Sequence, residues 1–252
     1  MSVRLQIDGP IARLVIDRPE KRGAMNLAMW QAVPELLDEA ANTSGVRALC
    51  LQSVANSGAF CAGADIGEMI AHAQDADWLA ENQAAIFETQ HRLARFALPS
   101  VAFIDGDCIG GGCGLALACD IRVATQQARF GITPARLGLV YPFHDVKLLV
   151  DLVGPGQARR LLYTGELIDT IEARDIGLIE IVASSPDRIE RQIAENSPRS
   201  QRALKGFVRR ALDGQVDDDA TTRQIFADAF RSADFSEGTA AFADKRRPRF
   251  SE

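Results

Sequence analysis

The stretch that most constrains this chain is "CIGGGCG" (108–114), which holds four of its twenty glycines and runs straight into the apolar "LALAC". Glycine loses more backbone freedom on folding than any other residue. A cluster of them before a helix-like run therefore marks backbone that must turn left-handed or approach another surface closely. A second segment, "FCAGADI" (60–66), has the same setting: each of the two follows a strand and leads into a helix. Each can present a backbone N–H at a helix start, where the dipole favours negative charge. Two such donors converging on one oxygen make an oxyanion hole, and one donor of this kind is worth ~10²–10³ in rate. Spacing alone admits two ordinary tight turns as well.

The surrounding pattern reads as α/β. "VRLQIDG" and "IARLVID" alternate apolar and polar residues around Gly9-Pro10, which predicts a β-hairpin. Asn26 is placed to cap a helix from Leu27, with Met25 and Trp30 as a hydrophobic staple. Pro34 is expected to kink that helix or delay its start. A buried strand (48–54) leads into a loop, in which Asp65 can cap a short helix. A long helix is expected from Asp75 to Phe96 with Trp78, Leu79, Ile86 and Phe87 inside, stopped by Pro99. Strands at 100–106, 121–125 and Phe130 follow, interleaved with the helices "GLALACD", "FHDVKLLVDLVG" and "PGQARRLLYTG". "RDIGLIEIV" ends the α/β part. The rest is helical, in the segments "SPRSQRALKGFVRRALDG", "DDDATTRQIFADAFRSADF" and "SEGTAAFADKRRPRF", with Phe226 and Phe230 on one face. Strands alternating with helices and then helices alone imply an α/β core with a helical C-terminal lobe.

Composition narrows the functional classes. A length of 252 residues suits one large domain or a domain plus a lobe. The formal net charge of −6 argues against a general nucleic-acid binder, and no run is apolar enough to span a membrane. Basic clusters survive at Arg209-Arg210 and at Lys245, Arg246, Arg247 and Arg249, as a solvated tail or as phosphate contacts. The five cysteines form no C-x-x-C pair, and "MSVRLQIDG" has no apolar signal core, so reduced, buried thiols and a cytoplasmic location are expected. The glycine cluster lacks G-x-G-x-x-G spacing, and neither a P-loop nor a G-x-S-x-G elbow occurs. His72, His91 and His144 have no metal-ligand spacing, and no metal site is expected.

Six segments together carry a resemblance: "RPEKRGAMN", "FCAGADI", "GGGCGLALACDIRVA", "FGITPARLGLVYP", "GPGQARRLLYTGELIDTIEARDIGLIEIV" and "FSEGTAAFADKRRPRF". In that order, from about residue 10 to 250, they resemble the enoyl-CoA hydratase/isomerase (crotonase) family. The resemblance implies an α/β fold, the crotonase-like spiral of ββα turns, over 1–190. It implies a helical C-terminal trimerisation region over 191–252, in the same family unit, and a homotrimer or hexamer. The ligand would be an acyl-CoA thioester, with coenzyme A entering as part of the substrate and no further cofactor. Ala64 and Gly111 match the oxyanion-hole amides. CoA would lie along Arg22, Gly23 and Ala24 and the loop from Ala62 to Ile66, Asp65 included. Gly110 and Pro134 line the substrate side, and Phe242 and Lys245 match C-terminal positions that help hold CoA.

The chain departs from its relatives where protons move. Hydratases of this family add water with two glutamates, one three residues after the oxyanion glycine and one four residues after the phenylalanine of the next strand. Those positions are Gly114 and Pro134 here, and neither side chain transfers protons. Ordinary hydration and Δ3,Δ2-type isomerisation are therefore in doubt. Glu68, Tyr141, His144 and Asp145 are the candidates for a shifted acid or base. The pattern T-P-x-x-L-G with Tyr141 three residues on resembles the methylmalonyl-CoA decarboxylase branch, although that branch has histidine where this chain has Ala64. Decarboxylation needs a held enolate but no strong base to start it. The alternatives to hydration are thus a decarboxylase of a malonyl-type CoA thioester and a non-catalytic acyl-CoA-binding protein.

Overall fold

The hairpin expected around Gly9-Pro10 opens the chain: β1 (Val3–Asp8) pairs antiparallel with β2 (Ile11–Ile16), and Gly9 turns at φ 56°. The computed structural model describes residues 3–55 and 57–250. Asn56 of the predicted loop, and the outer ends of the two predicted regions at 1–2 and 251–252, lie outside these.

Asn26 caps α1 (Leu27–Asn42), its Oδ1 accepting the Met29 amide at 3.0 Å. Of the two outcomes expected for Pro34, the delayed start does not occur. The helix starts at Leu27 and runs through the proline. A proline there cannot donate to the carbonyl four residues earlier, on Trp30. The fully buried Thr89 hydroxyl donates to that carbonyl instead, at 2.6 Å.

From α1 onward the chain winds. β3 (Ala48–Ser53), β4 (Ala59–Cys61), α2 (Ile66–Ala71) and α3 (Ala76–Ala94) make one turn. β5 (Ser100–Ile104), β6 (Asp107–Ile109) and α4 (Gly111–Ala118) make the next. β7 (Ile121–Ala124), β8 (Arg129–Gly131), a 3₁₀ turn (Pro134–Leu137) and α5 (Phe143–Thr164) make the third. Each turn lays one strand in each of two sheets and then a helix. The larger sheet has the order β1-β2-β3-β5-β7-β10, parallel from β2 on, closed by β10 (Ile181–Val182). The smaller has the order β4-β6-β8-β9, parallel except for β9 (Leu167–Asp169). This is the ββα spiral that the resemblance implies.

Between β9 and β10 lies α6 (Thr170–Asp175); α7 (Asp187–Ala194) and α8 (Pro198–Leu212) follow β10. The lobe is tied to the core through backbone carbonyls. Lys205 Nζ donates to Leu98 O and Arg209 Nη2 to Ala94 O, both at 2.8 Å. α5 is two helices across a break at Gly154 (φ 71°), as the two predicted segments have it. The single helix predicted over "DDDATTRQIFADAFRSADF" is instead cut in two. α9 (Ala220–Ala229) ends, and Ser232 caps α10 (Ala233–Ala243). Phe226 and Phe230 meet edge to face at 5.3 Å, both exposed.

α3 also differs in what it buries. Trp78, Leu79 and Ile86 are only half-buried and Phe87 is exposed, whereas Asn82, Thr89 and Gln90 are buried. Packing demands from the helices beneath outrank simple apolar periodicity here. Among the described residues, no helix is long and apolar enough to cross a membrane.

Among the described glycines, Gly112 makes the closest approach to backbone. A Cβ built there would stand 2.3 Å from the carbonyl oxygen of Cys61. Gly112→Ala should therefore destabilise the protein by about 1–3 kcal/mol, the usual cost of overpacking. Gly156→Ala, with nothing within 4 Å of the new methyl, should gain about 0.4–1 kcal/mol by restricting the unfolded chain. Urea unfolding of the two variants beside the parent checks both signs.

Candidate active site

Two glycine segments leave the smaller sheet side by side. β4 and β6 are parallel neighbours, pairing Cys61 with Cys108. Their extensions therefore run together, and a Cβ on Gly63 (φ 97°) would lie 3.0 Å from Ile109 O and 3.3 Å from the Gly111 nitrogen. The two segments meet as the sequence reading requires.

Local hydrogen bonding determines which amides are free. The stretch 22–25 zips onto 62–65: Ala62 N donates to Arg22 O (3.0 Å), Met25 N to Gly63 O (2.8 Å) and Asp65 N to Met25 O (2.9 Å). Met25 and Ala64 form a parallel bridge. In such a bridge Met25 bonds the residues on either side of Ala64, so the N–H of Ala64 points away from Met25. Gly110 (φ 53°, ψ −115°) donates its own N–H to Gly131 O at 2.8 Å and turns the chain into α4. Gly111 then stands at the first helical position, whose N–H has no partner within a helix. Among the described residues neither the Ala64 nor the Gly111 amide donates a backbone hydrogen bond outside regular elements. Trp30 packs beneath, its ring 3.4 Å from a Cβ built on Gly111.

Other predicted residues take definite places. Arg22 lies in the left-handed region (φ 54°) and pairs with Asp107. Arg129, unmarked by the sequence, holds the same carboxylate through Nε and Nη2 at 2.8 Å each. These two half-exposed guanidiniums stand at the Arg22–Ala24 strip expected to meet CoA. Ala24 O accepts from Arg18 Nη1 at 2.9 Å, and Arg18 Nη2 also reaches Asp65 at 2.8 Å. Asp65 caps α2, of which Ile66 is the first residue. Burial works against the Asp65 charge, but the Glu68 amide and Arg18 outweigh it and hold the carboxyl below its ordinary range. Glu68 Oε2 accepts the Leu27 amide at 3.0 Å, so this carboxylate serves the start of α1. Phe242 and Lys245 sit exposed at the end of α10. Among the described residues neither side chain hydrogen-bonds to the two glycine segments. Pro134 heads the 3₁₀ turn, half-buried. All five cysteines are buried and free, and burial pushes the thiols of Cys61 and Cys119 up to about 12.

The surroundings of Gly114 are the least expected. α3, α4 and α5 converge there. A Cβ built on Gly114 would lie 2.3 Å from Gln90 Nε2 and 2.6 Å from Asp145 Oδ2. Asp145 is fully buried. Its Oδ1 lies 3.3 Å from His144 Nδ1, while Oδ2 has no hydrogen-bond partner. Burial raises the Asp145 carboxyl above its ordinary range, against the opposing pull of His144 and Gln90. His91 and His144, apart in sequence, stand 6.0 Å apart ring to ring, and burial lowers His91 with help from Arg95 and His144. The buried Tyr141 donates its hydroxyl to Gly110 O at 3.1 Å, and burial, with Asp145 nearby, pushes its phenol well up. Gln90 was invisible to sequence reasoning because it sits on a helix face read as apolar. Among the described residues no group of three or more His, Cys, Asp or Glu is arranged to hold a metal ion.

Comparison with known proteins agrees with this architecture. The sequence profile described as enoyl-CoA hydratase/isomerase matches residues 6–252. A crotonyl-CoA hydratase of Syntrophomonas wolfei is 31% identical, covering 99% of this chain and 97% of its own. A short-chain-enoyl-CoA hydratase of Clostridium acetobutylicum is 30% identical, over 98% and 96%. Among solved structures, one from Hyphomonas neptunium assigned to the enoyl-CoA hydratase/isomerase family superimposes with a TM-score of 0.93 at 36% identity, over 100% of this chain and 98% of its own. An enoyl-CoA hydratase from Bacillus anthracis gives 0.89 at 26%, over 99% of both. With a match that spans both glycine segments and the C-terminal helices, the chain belongs to the enoyl-CoA hydratase/isomerase family.

Proposed function

We propose that this protein is an enzyme that binds an acyl-CoA thioester and passes through its enolate, with the thioester oxygen held by the amides of Ala64 and Gly111. The observation that carries this reading is the juxtaposition of two amides without partners, one turned outward by the Met25 bridge and one at the start of α4. Donors fixed before the reaction stabilise charge as it develops, without reorganising. The strip Arg22–Ala24 and the loop Ala62–Ile66 would take CoA. Arg22 and Arg129 would offer positive charge to its phosphates, with Phe242 and Lys245 closing from the C-terminal region.

Ordinary hydration should be poor, because Gly114 and Pro134 stand where the glutamates of a hydratase would stand. A second reading is decarboxylation of a malonyl-type thioester. The Cα–carboxylate bond breaks, CO₂ leaves, and its electron pair passes into the thioester as an enolate. What supports this reading is the pattern T-P-x-x-L-G with Tyr141 three residues on, together with the missing glutamates; the Tyr141 hydroxyl donates to Gly110 O beside one donor. A cytoplasmic location is in keeping with the five unpaired, buried thiols. Assembly as a trimer or hexamer through the C-terminal helices is in keeping with the exposed Phe226, Phe230 and Phe242.

Two outcomes follow. Turnover of crotonyl-CoA, followed as loss of enoyl absorbance, should be far below that of a two-glutamate hydratase, and a comparable rate would sink that expectation. CO₂ release from a panel of malonyl-CoA derivatives separates the second reading from the first. Binding of CoA thioesters in calorimetry with no turnover anywhere would instead indicate a non-catalytic binder. Gly111→Pro deletes one donor at a first helical position, where proline is well tolerated. Turnover of the best thioester in the panel should fall ~10²–10³-fold, with circular dichroism and melting close to the parent. Undiminished turnover would remove Gly111 from this role.

A further inference from the structure

We propose that Asp145 is the proton-transfer carboxylate of this site, delivered from α5 into the space that glycine at 114 leaves open. The inference rests on the acyl-CoA reading above and deepens it by naming the group that moves the α-proton.

The geometry is that of an exchange of positions. Gly114 lies three residues beyond Gly111, on the same face of α4 one turn along, so the space beside its Cα adjoins the proposed oxyanion site. A Cβ at 114 would stand 2.6 Å from Asp145 Oδ2 and 2.3 Å from Gln90 Nε2. No side chain at 114 fits while Asp145 and Gln90 hold their places. One carboxylate can occupy this corner, from α4 or from α5, and here it comes from α5.

Asp145 makes no helix-capping bond. Pro142 occupies the N-cap of α5 and no side-chain cap bond forms there. A fully buried carboxylate is expensive to keep, and an oxygen without a partner more so. Oδ1 is steadied by His144 Nδ1 at 3.3 Å, and Oδ2 is left free toward Gly114. Burial also raises its carboxyl toward the range where general acids and bases work best. Gln90 lies against the same corner with its own Oε1 unpaired.

The step balances without any co-reactant. The Cα–H bond of the bound thioester breaks and the proton passes to Asp145 Oδ2. The bonding pair becomes the C=C of the enolate, and the carbonyl pair moves onto the oxygen facing Ala64 and Gly111. The reverse step protonates Cα. The same protonation would finish a decarboxylation.

The test uses butyryl-CoA as the probe, with the full-length protein in D₂O. Binding is measured by calorimetry and α-proton exchange by NMR. The parent should bind butyryl-CoA and exchange its α-hydrogens. Asp145→Asn should bind it within about threefold and exchange at least ~10²-fold more slowly, the usual contribution of a general acid or base. If Asp145→Asn does not fold, Asp145→Ser carries the same comparison. Exchange by a folded variant at the parental rate would overturn the inference. So would a parent that binds butyryl-CoA without exchanging it, and in both cases acyl-CoA binding stands. Failure of butyryl-CoA and free CoA to bind the parent at all would instead bring down the acyl-CoA reading, and this inference with it.

Discussion

Everything at the site depends on backbone resting directly on backbone. Gly112 brings the first turn of α4 against the carbonyl of Cys61, and Gly63 brings the loop after β4 against Ile109 and Gly111. A methyl group at Gly112 would stand 2.3 Å from an atom that cannot swing away, because Cys61 is held in β4. The contact fixes the spacing of the Ala64 and Gly111 amides with no side chain between them. Pairing of β4 with β6 aims the two segments in one direction, and the bridge from Met25 fixes which way Ala64 faces. Polar backbone left unpaired is unfavourable in a fold. Here it is retained in two adjacent places, after the Met25 bridge and at the start of α4.

The buried polar face of α3 follows from two separate needs beneath it. Thr89 repairs α1, taking up the Trp30 carbonyl that Pro34 leaves without a donor. Gln90, the next residue, occupies the corner that a side chain at 114 would have filled. A helix with apolar Phe87 outside and polar Thr89 and Gln90 inside looks inverted by periodicity alone. It is consistent once the proline on one neighbour and the glycine on the other are taken into account.

How much of this was legible in the sequence varies with the range of the interaction. The hairpin, the Asn26 and Asp65 caps and the break near Gly154 are local, and the residues that make them are adjacent in the chain. The smaller sheet was largely missed, because β4, β6 and β9 span three residues each and carry no alternation to read. Those short strands aim the two glycine segments, so the convergence could be expected from the resemblance but not from pattern. The absence of carboxylates at Gly114 and Pro134 was plain in the sequence. Which of the four candidates stands beside Gly114 was not, and Gln90 was not foreseen at all, since Asp145 and Gln90 meet Gly114 only through the packing of three helices.

Moving the carboxylate from α4 to α5 also changes what must be held still. A side chain on α4 would be fixed by the same glycine contact that fixes Gly111. A side chain on α5 is fixed by the packing of α5 against α3 and α4 and by the loop 138–142 that leads into it. That loop exposes Val140 and turns Tyr141 inward. The Tyr141 hydroxyl donates to the carbonyl of Gly110, the residue immediately before the Gly111 amide. One hydrogen bond thus ties the segment bearing Asp145 to the segment bearing the oxyanion donor, across helices that share no covalent neighbour. With its proton committed to that carbonyl and its phenol pushed up by burial, Tyr141 is poorly suited to transfer a proton itself. It is well suited to keep the groups that do so at a fixed distance.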